Sequence, residues 1–234
     1  MDKGKFYAGL FIMAGLVFMG CMLPRIATEF RSYERYVSVK GLCEKEVKAD
    51  KVIWPLKHSV FGNDLGRVYA ELEQKDAMIR AFLIEGGIQP DEISVSATEL
   101  SDKFAQTYQN ERDYRFVASS TTTVCTHDVD KVLRLMEKQS QLIKENIVLS
   151  GNNDWEARIQ FDFEGLNDIK PEMIEEATKN AREVALKFAS DSDSRLGKIK
   201  DASQGTFSIE DRDSNTPYIK RVRIVTYVSY YLKK

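Results

Sequence analysis

The sequence predicts an α+β fold: largely antiparallel sheets with three helices packed on them, preceded by an N-terminal transmembrane helix. Three observations predict it. Helical stretches punctuate pairs of strand-like segments and do not alternate with single strands, the pattern of α+β folds and not of doubly wound parallel sheets. One uncharged apolar run, residues 6–23, stands apart at the N-terminus. The 234 residues, 43% hydrophobic and 30% charged, suffice for one large domain or two small ones, each with its own core.

Residues 1–30 precede the expected domain. Lys3 and Lys5 stand before FYAGLFIMAGLVFMGCML, residues 6–23, and Pro24 and Arg25 end the run. Its length is about what a bilayer span requires, and it is apolar on every face, unlike a surface helix. Three fates fit it: a retained signal anchor, which the length favours; a cleaved signal peptide, though no clear small-x-small site follows; or a lipoprotein modified at Cys21. Gly20-Cys21 suits lipidation, whereas Phe18-Met19 does not. Arg25, Arg31 and Arg35 flank the far end, so charge alone does not orient the span. The expected location is the cell envelope, inner-membrane anchored with the domain in the periplasm; a secreted protein or lipoprotein is the alternative. Residues 31–35 read as a linker and 36–234 as the domain.

Within the domain, YVSVKGLCEKEVK (36–48) alternates as a strand, with Val37, Val39, Gly41, Cys43 and Val47 on one face. KVIWPLKHSVF (51–61) follows a turn at Ala49-Asp50, so the two make a hairpin, with Pro55 marking an edge or bulge. Residues 63–87 form a helix on Leu65, Val68, Leu72, Ile79 and Leu83, with one gap of seven; Asn63 or Asp64 caps it and Gly86-Gly87 ends it. Residues 91–104 and 114–127 read as strands. Asp128 caps a second helix striped by Val129, Val132, Leu133, Met136 and Ile143. Residues 147–165 read as two strand segments around Gly151-Asn152-Asn153. A third helix, about 168–190, carries Ile169, Met173, Ala177, Ala181, Val184, Ala185 and Phe188 inward. Strands at about 196–211 and 218–232 close the chain.

Four stretches carry a family resemblance: VSVKGLCEKEVKADK (37–51), GIQPDEISV (87–95), DVDKVLRLM (128–136) and EATKNAREVALKFASDSDSRLGKI (176–199). The chain resembles the SIMPL-domain family over about residues 36–232. That family includes bacterial envelope and periplasmic proteins and an animal protein that interacts with a signalling kinase. The resemblance implies an α+β fold, no established enzymatic chemistry, a loose link to envelope stress tolerance and, in some bacterial relatives, ring-like assembly. It transfers no catalytic residue.

The residues themselves agree. His58 and His127 lie in no metal-ligand pattern, and no nucleophile elbow, Walker loop or dinucleotide glycine motif occurs. Asp191 and Asp193 suggest a calcium loop, but that schedule needs Gly at its sixth position and Glu at its twelfth. Leu196 and Ala202 stand there. No catalytic residue, cofactor or metal is therefore expected. A net charge of −2 offers no basic excess for nucleic acid and permits self-association. Cys43 and Cys125 form a disulfide if the compartment oxidises thiols and their strands are neighbours; otherwise they are small buried residues. The last strand puts Val222, Ile224, Val228, Tyr230 and Leu232 on one face and Val225, Tyr227 and Tyr231 on the other. That second face is too apolar for a solvated one. It meets another subunit, or is covered within the chain. The expected partners are the membrane, through the N-terminal helix, a second copy in a homo-oligomer and an unidentified envelope protein. A ligand- or peptide-binding module is the alternative.

Overall fold

A computed structural model describes residues 9, 11–20, 22, 35–105, 114–150 and 157–233. The chain divides into two compact units interleaved in sequence. Unit 1 takes residues 1–45, 168–208 and 222–234; unit 2 takes residues 46–167 and 209–221. Residues 11–20 are helical and exposed (α1). Among the described residues no helix is long and apolar enough to cross a membrane. Residues 6–8, 10, 21 and 23 of the apolar run, Cys21 among them, and most of the 31–35 linker lie outside them.

The main sheet of unit 1 has the order β1 (Tyr36–Lys48), β9 (Ile219–Lys233), β7 (Arg195–Gln204), with β8 (Ser208–Asp211) also on β9. The helix α5 (Leu166–Asp191) buries Met173, Ala177, Ala181, Ala185 and Ala189. Ala181 and Ala185 pack with Val39, Val228 and Tyr230. Val184 and Phe188, expected inside, are 41% and 55% exposed. Backbone proximity selects the smaller side chains. A Cβ on Gly41 would lie 1.8 Å from the Ala177 carbonyl oxygen, so only glycine on the strand and alanine on the helix permit the approach. Asp193 takes a φ of 50° just past α5, where a helix end commonly turns left-handed.

Unit 2 is built on β5 (Phe116–Thr126), which pairs antiparallel along the whole of β2 (Lys51–Gly62). β3 (Ile93–Val95) and β4 (Glu99–Asp102) join the other side of β5, and β6 (Gln160–Asp162) joins the first residues of β2. β6 reaches only Lys51–Ile53, so β2 can carry Pro55 without losing a ladder bond to it. The helix α2 (Leu65–Glu85) buries Val68, Leu72, Ile79 and Leu83, and Asp64 caps it by accepting from the Arg67 N–H. The helix α3 (Val129–Glu137) is capped likewise by Asp128, and the short α4 (Ser140–Lys144) follows. Trp54, Leu56, Ile79, Leu83, Val124 and Val132 form the centre of the core.

Several expectations change. β1 and β2 are not a hairpin: they belong to different sheets. At the turn between them the Ala49 N–H donates to Tyr218 and the Asp50 N–H to Asp162, so its backbone is engaged elsewhere. The expected strand 91–104 is two short strands: the ladder with β5 is interrupted over residues 96–98, although the Ser96 N–H still donates to the Thr121 carbonyl at 2.9 Å. The second helix breaks after Glu137, and Leu135 and Leu142 are buried where Ile143, 63% exposed, had been expected. Among the described residues four helices, α2 to α5, therefore accompany the sheets, not three. The 196–211 strand is likewise two, β7 and β8. Of the 147–165 segments, β6 and a single bridge from Leu149 to His58 form, while Gly151-Asn152-Asn153 lie outside the described residues.

Candidate interaction face

The outer side of the unit 1 sheet gathers the residues singled out on the last strand. Along β9, Val222, Ile224, Thr226, Val228 and Tyr230 are buried, whereas Val225 and Tyr231 are half-buried and Tyr227 is 44% exposed. Contacts with β1 fix the register. The Leu232 N–H donates to the Arg35 carbonyl at 2.8 Å, and the Ser38 and Ser229 hydroxyls lie 2.8 Å apart. That antiparallel register sets Tyr36 opposite Tyr231, Lys40 opposite Tyr227, Leu42 opposite Val225 and Glu44 opposite Arg223.

Cations sit on these rings. Lys40 Nζ is 5.1 Å from the Tyr227 centroid, and Lys200 Nζ is 3.4 Å from that of Tyr36 and 6.0 Å from that of Tyr231. Such exposed contacts are worth about 0.5–1 kcal/mol each. Arg223 Nε lies 3.3 Å from a Glu44 carboxylate oxygen. The result is a surface of amphipathic rings, aliphatic side chains and cations. It suits contact with a broad surface and offers no nucleophile–base pair.

A cleft of about 620 Å³ in unit 2 is the contrasting feature, lined in part by Lys48, Asp50, Thr126, His127 and Asp130. Its polar groups serve the local fold. Both Asp50 carboxylate oxygens accept backbone N–H groups, from Glu164 and Gly165, at 2.8 Å. The Thr126 hydroxyl donates to Glu92, His127 Nδ1 lies 2.9 Å from the Asp50 carbonyl, and Lys48 pairs with Asp130. Among the described residues no group of three His, Cys, Asp or Glu side chains is arranged to hold a metal ion.

Cys43 and Cys125 are free. Cys43 is buried and donates to Glu176 Oε2 at 3.2 Å. Burial first, then the hydrogen bond and charge of Glu176, push its thiol up to about 11. Cys125 is exposed on β5.

A polar cluster under α2 was not anticipated from the sequence. His58 is 1% exposed, with Nε2 3.8 Å from Asp76 Oδ1, and cross-strand pairing puts Ser120 directly opposite it. Neither ring nitrogen meets a hydrogen-bond partner in good geometry, nor do Asp76 Oδ1, Ser120 Oγ and Thr122 Oγ1. Burial drives the imidazole pKa below its ordinary value, against the pull of Asp76. The signal was present in the seven-residue gap of the α2 stripe: Asp76 sits between Leu72 and Ile79.

The chain belongs to the SIMPL family, described as proteins of unknown function (DUF541), whose profile matches residues 37–223. No individual curated protein matches the chain.

Proposed function

We propose that this protein is a non-catalytic component of the cell envelope, tethered to the inner membrane by residues 6–23 and acting through contacts of the unit 1 outer face. Self-assembly is one form of such contact, and an envelope partner is the other. The single observation that carries the reading is the solvent-facing set of Tyr36, Leu42, Val225, Tyr227 and Tyr231. Apolar and aromatic surface of this kind is kept where it is covered by something. A role in envelope stress tolerance rests on family membership alone.

Light scattering on the full chain in neutral detergent tests self-assembly. Replacing Tyr227 and Tyr231 with Ser is expected to lower the particle mass while circular dichroism stays unchanged. A monomeric wild type, or an unchanged mass with the fold retained, rules out self-assembly through this face. Membrane fractionation with protease protection tests the location. A second reading, peptide binding, is favoured by β1, which pairs with β9 and is an end strand of its sheet. Such an edge accepts an added strand.

A further inference from the structure

We propose that the tyrosine face of unit 1 docks on an anionic lipid surface, the leaflet next to the chain's own N-terminal apolar run. This rests on residues 6–23 acting as the tether, as proposed above, and names a lipid leaflet in place of a second copy as what covers this face. Charge is the first argument. Lys40, Lys200, Arg223 and Lys233 share the face, and Arg195 joins them by pairing with Lys233. Two carboxylates oppose these five cations: Glu44, held by Arg223, and Asp201, which pairs with Ser229. The whole chain carries −2, so this positive field is local and runs against the protein's overall charge.

Charge also decides between occupants. A second copy using the same patch would form a two-fold contact, in which the patch must complement itself. Here that would bring lysine and arginine against lysine and arginine, an unfavourable juxtaposition. An anionic leaflet has the opposite sign, and each Lys or Arg near it strengthens binding about fivefold. Tyrosine rings suit the same depth, with the ring among the upper acyl carbons and the hydroxyl among headgroups. Leu42 and Val225, opposite one another, supply an aliphatic patch between the cations.

The second argument is the path of the chain. Residues 24–35 separate the apolar run from Tyr36. Fully extended, such a linker of about a dozen residues reaches roughly 40 Å. The Arg35–Leu232 backbone bond places its end beside Tyr36, Tyr231, Lys200, Lys233 and Arg195. The most basic and aromatic end of the face is therefore the end nearest the tether.

The test reconstitutes the full chain into vesicles of pure phosphatidylcholine or of phosphatidylcholine with about 30% phosphatidylglycerol. Tyrosine nitration is then read residue by residue. Tyr69 of α2, 50% exposed, is the internal control. In anionic vesicles Tyr36, Tyr227 and Tyr231 are expected to react at least about fivefold more slowly than in neutral ones, with Tyr69 unchanged. Salt at about 0.5 M restores the rate by screening. The combined substitution Lys40→Glu, Lys200→Glu and Lys233→Glu abolishes the protection with Tyr69 unaltered.

Equal nitration in both lipids overturns the proposal. So does protection in detergent alone that grows with protein concentration, which would identify a second copy. Protection by soluble heparin but not by anionic vesicles overturns it too. Carbonate extraction separates the two readings: a chain that washes off the vesicles fails as tethered, whereas one that stays with unprotected tyrosines fails only as docked.

Discussion

His58 is the point at which solution pH reaches the core of unit 2. Burial holds its folded pKa below the ordinary value, Lys75 pushes the same way, and Asp76 opposes both. Ser120 and Thr122 face it from β5 without charge, and Leu149 bridges its backbone. In the unfolded chain the ring titrates near about 6.5. Below that pH the unfolded state takes up a proton that the folded state refuses until its own, lower pKa. The unfolded state thus binds more protons across the window. Stability is whole above about pH 6.5 and falls as pH drops toward the folded pKa. The slope reaches at most about 1.4 kcal/mol per pH unit, or tenfold in the unfolding constant. Against a typical domain stability of about 5–15 kcal/mol that is a large share. Urea unfolding of the full chain in neutral detergent, followed by circular dichroism at steps from about pH 7.5 to 5, measures it. The His58→Gln variant keeps His127 and every carboxylate, so the difference between the two curves isolates His58. Wild type is expected to lose more stability than the variant, by up to the slope given. Asp76→Asn removes the charge favouring the imidazolium, lowers the folded pKa and extends the loss to more acid pH. Parallel curves for wild type and His58→Gln would refute the reasoning.

Other substitutions probe the packing and the caps. Gly41→Ala drives a Cβ to within 1.8 Å of the Ala177 carbonyl oxygen and should lower stability by about 3 kcal/mol or more, seen as lost thermal unfolding cooperativity. Gly66→Ala meets only Asp64 Oδ1 at 3.4 Å in the first turn of α2 and should raise stability by about 0.5 kcal/mol; a fall in Tm would contradict the open space assigned there. Asp50→Ala frees the Glu164 and Gly165 N–H groups at once and should cost about 2 kcal/mol in urea unfolding, with Asp50→Asn milder. With a thiol pKa of about 11, Cys43 should be alkylated by iodoacetamide far more slowly than exposed Cys125 at about pH 8; peptide mapping that finds equal rates would show the Cys43 pocket to be open.

What the sequence could express is local period. Two-residue alternation located β1 and β9, the Thr- and Val-rich run located β5, and the helix caps at Asp64 and Asp128 were readable because each contact spans three residues. Pairing was not readable. Chain proximity argued for a β1–β2 hairpin, yet the partner of Ser38 is Ser229, 191 positions away, and nothing local encodes that register. The same distance explains the candidate face. Val225, Tyr227 and Tyr231 followed from alternation on one strand, while Tyr36, Lys40 and Lys200 join them only through cross-strand pairing. On α5, helical periodicity put Val184 and Phe188 inside along with Ala181 and Ala185, but only the alanines are buried. The backbone approach at Gly41 favours them, because volume outweighs apolar area there. Asp76 was passed over as a gap, since its facing residue, His58, lies on another element.

The pairing of β1 with β9 sets a schedule for biosynthesis. Among the described strands β1 is the first to leave the ribosome, and its hydrogen-bonding partner β9 is the last. Throughout elongation the alternating edge of β1 has no native strand beside it, and such an edge is open to wrong pairing. Most of unit 2, residues 46–167, emerges in that interval and can collapse around β5 and β2. Unit 1 closes only when residues 222–234 are released. A stop codon at position 222 would therefore strand β1 and uncover the alanine face of α5.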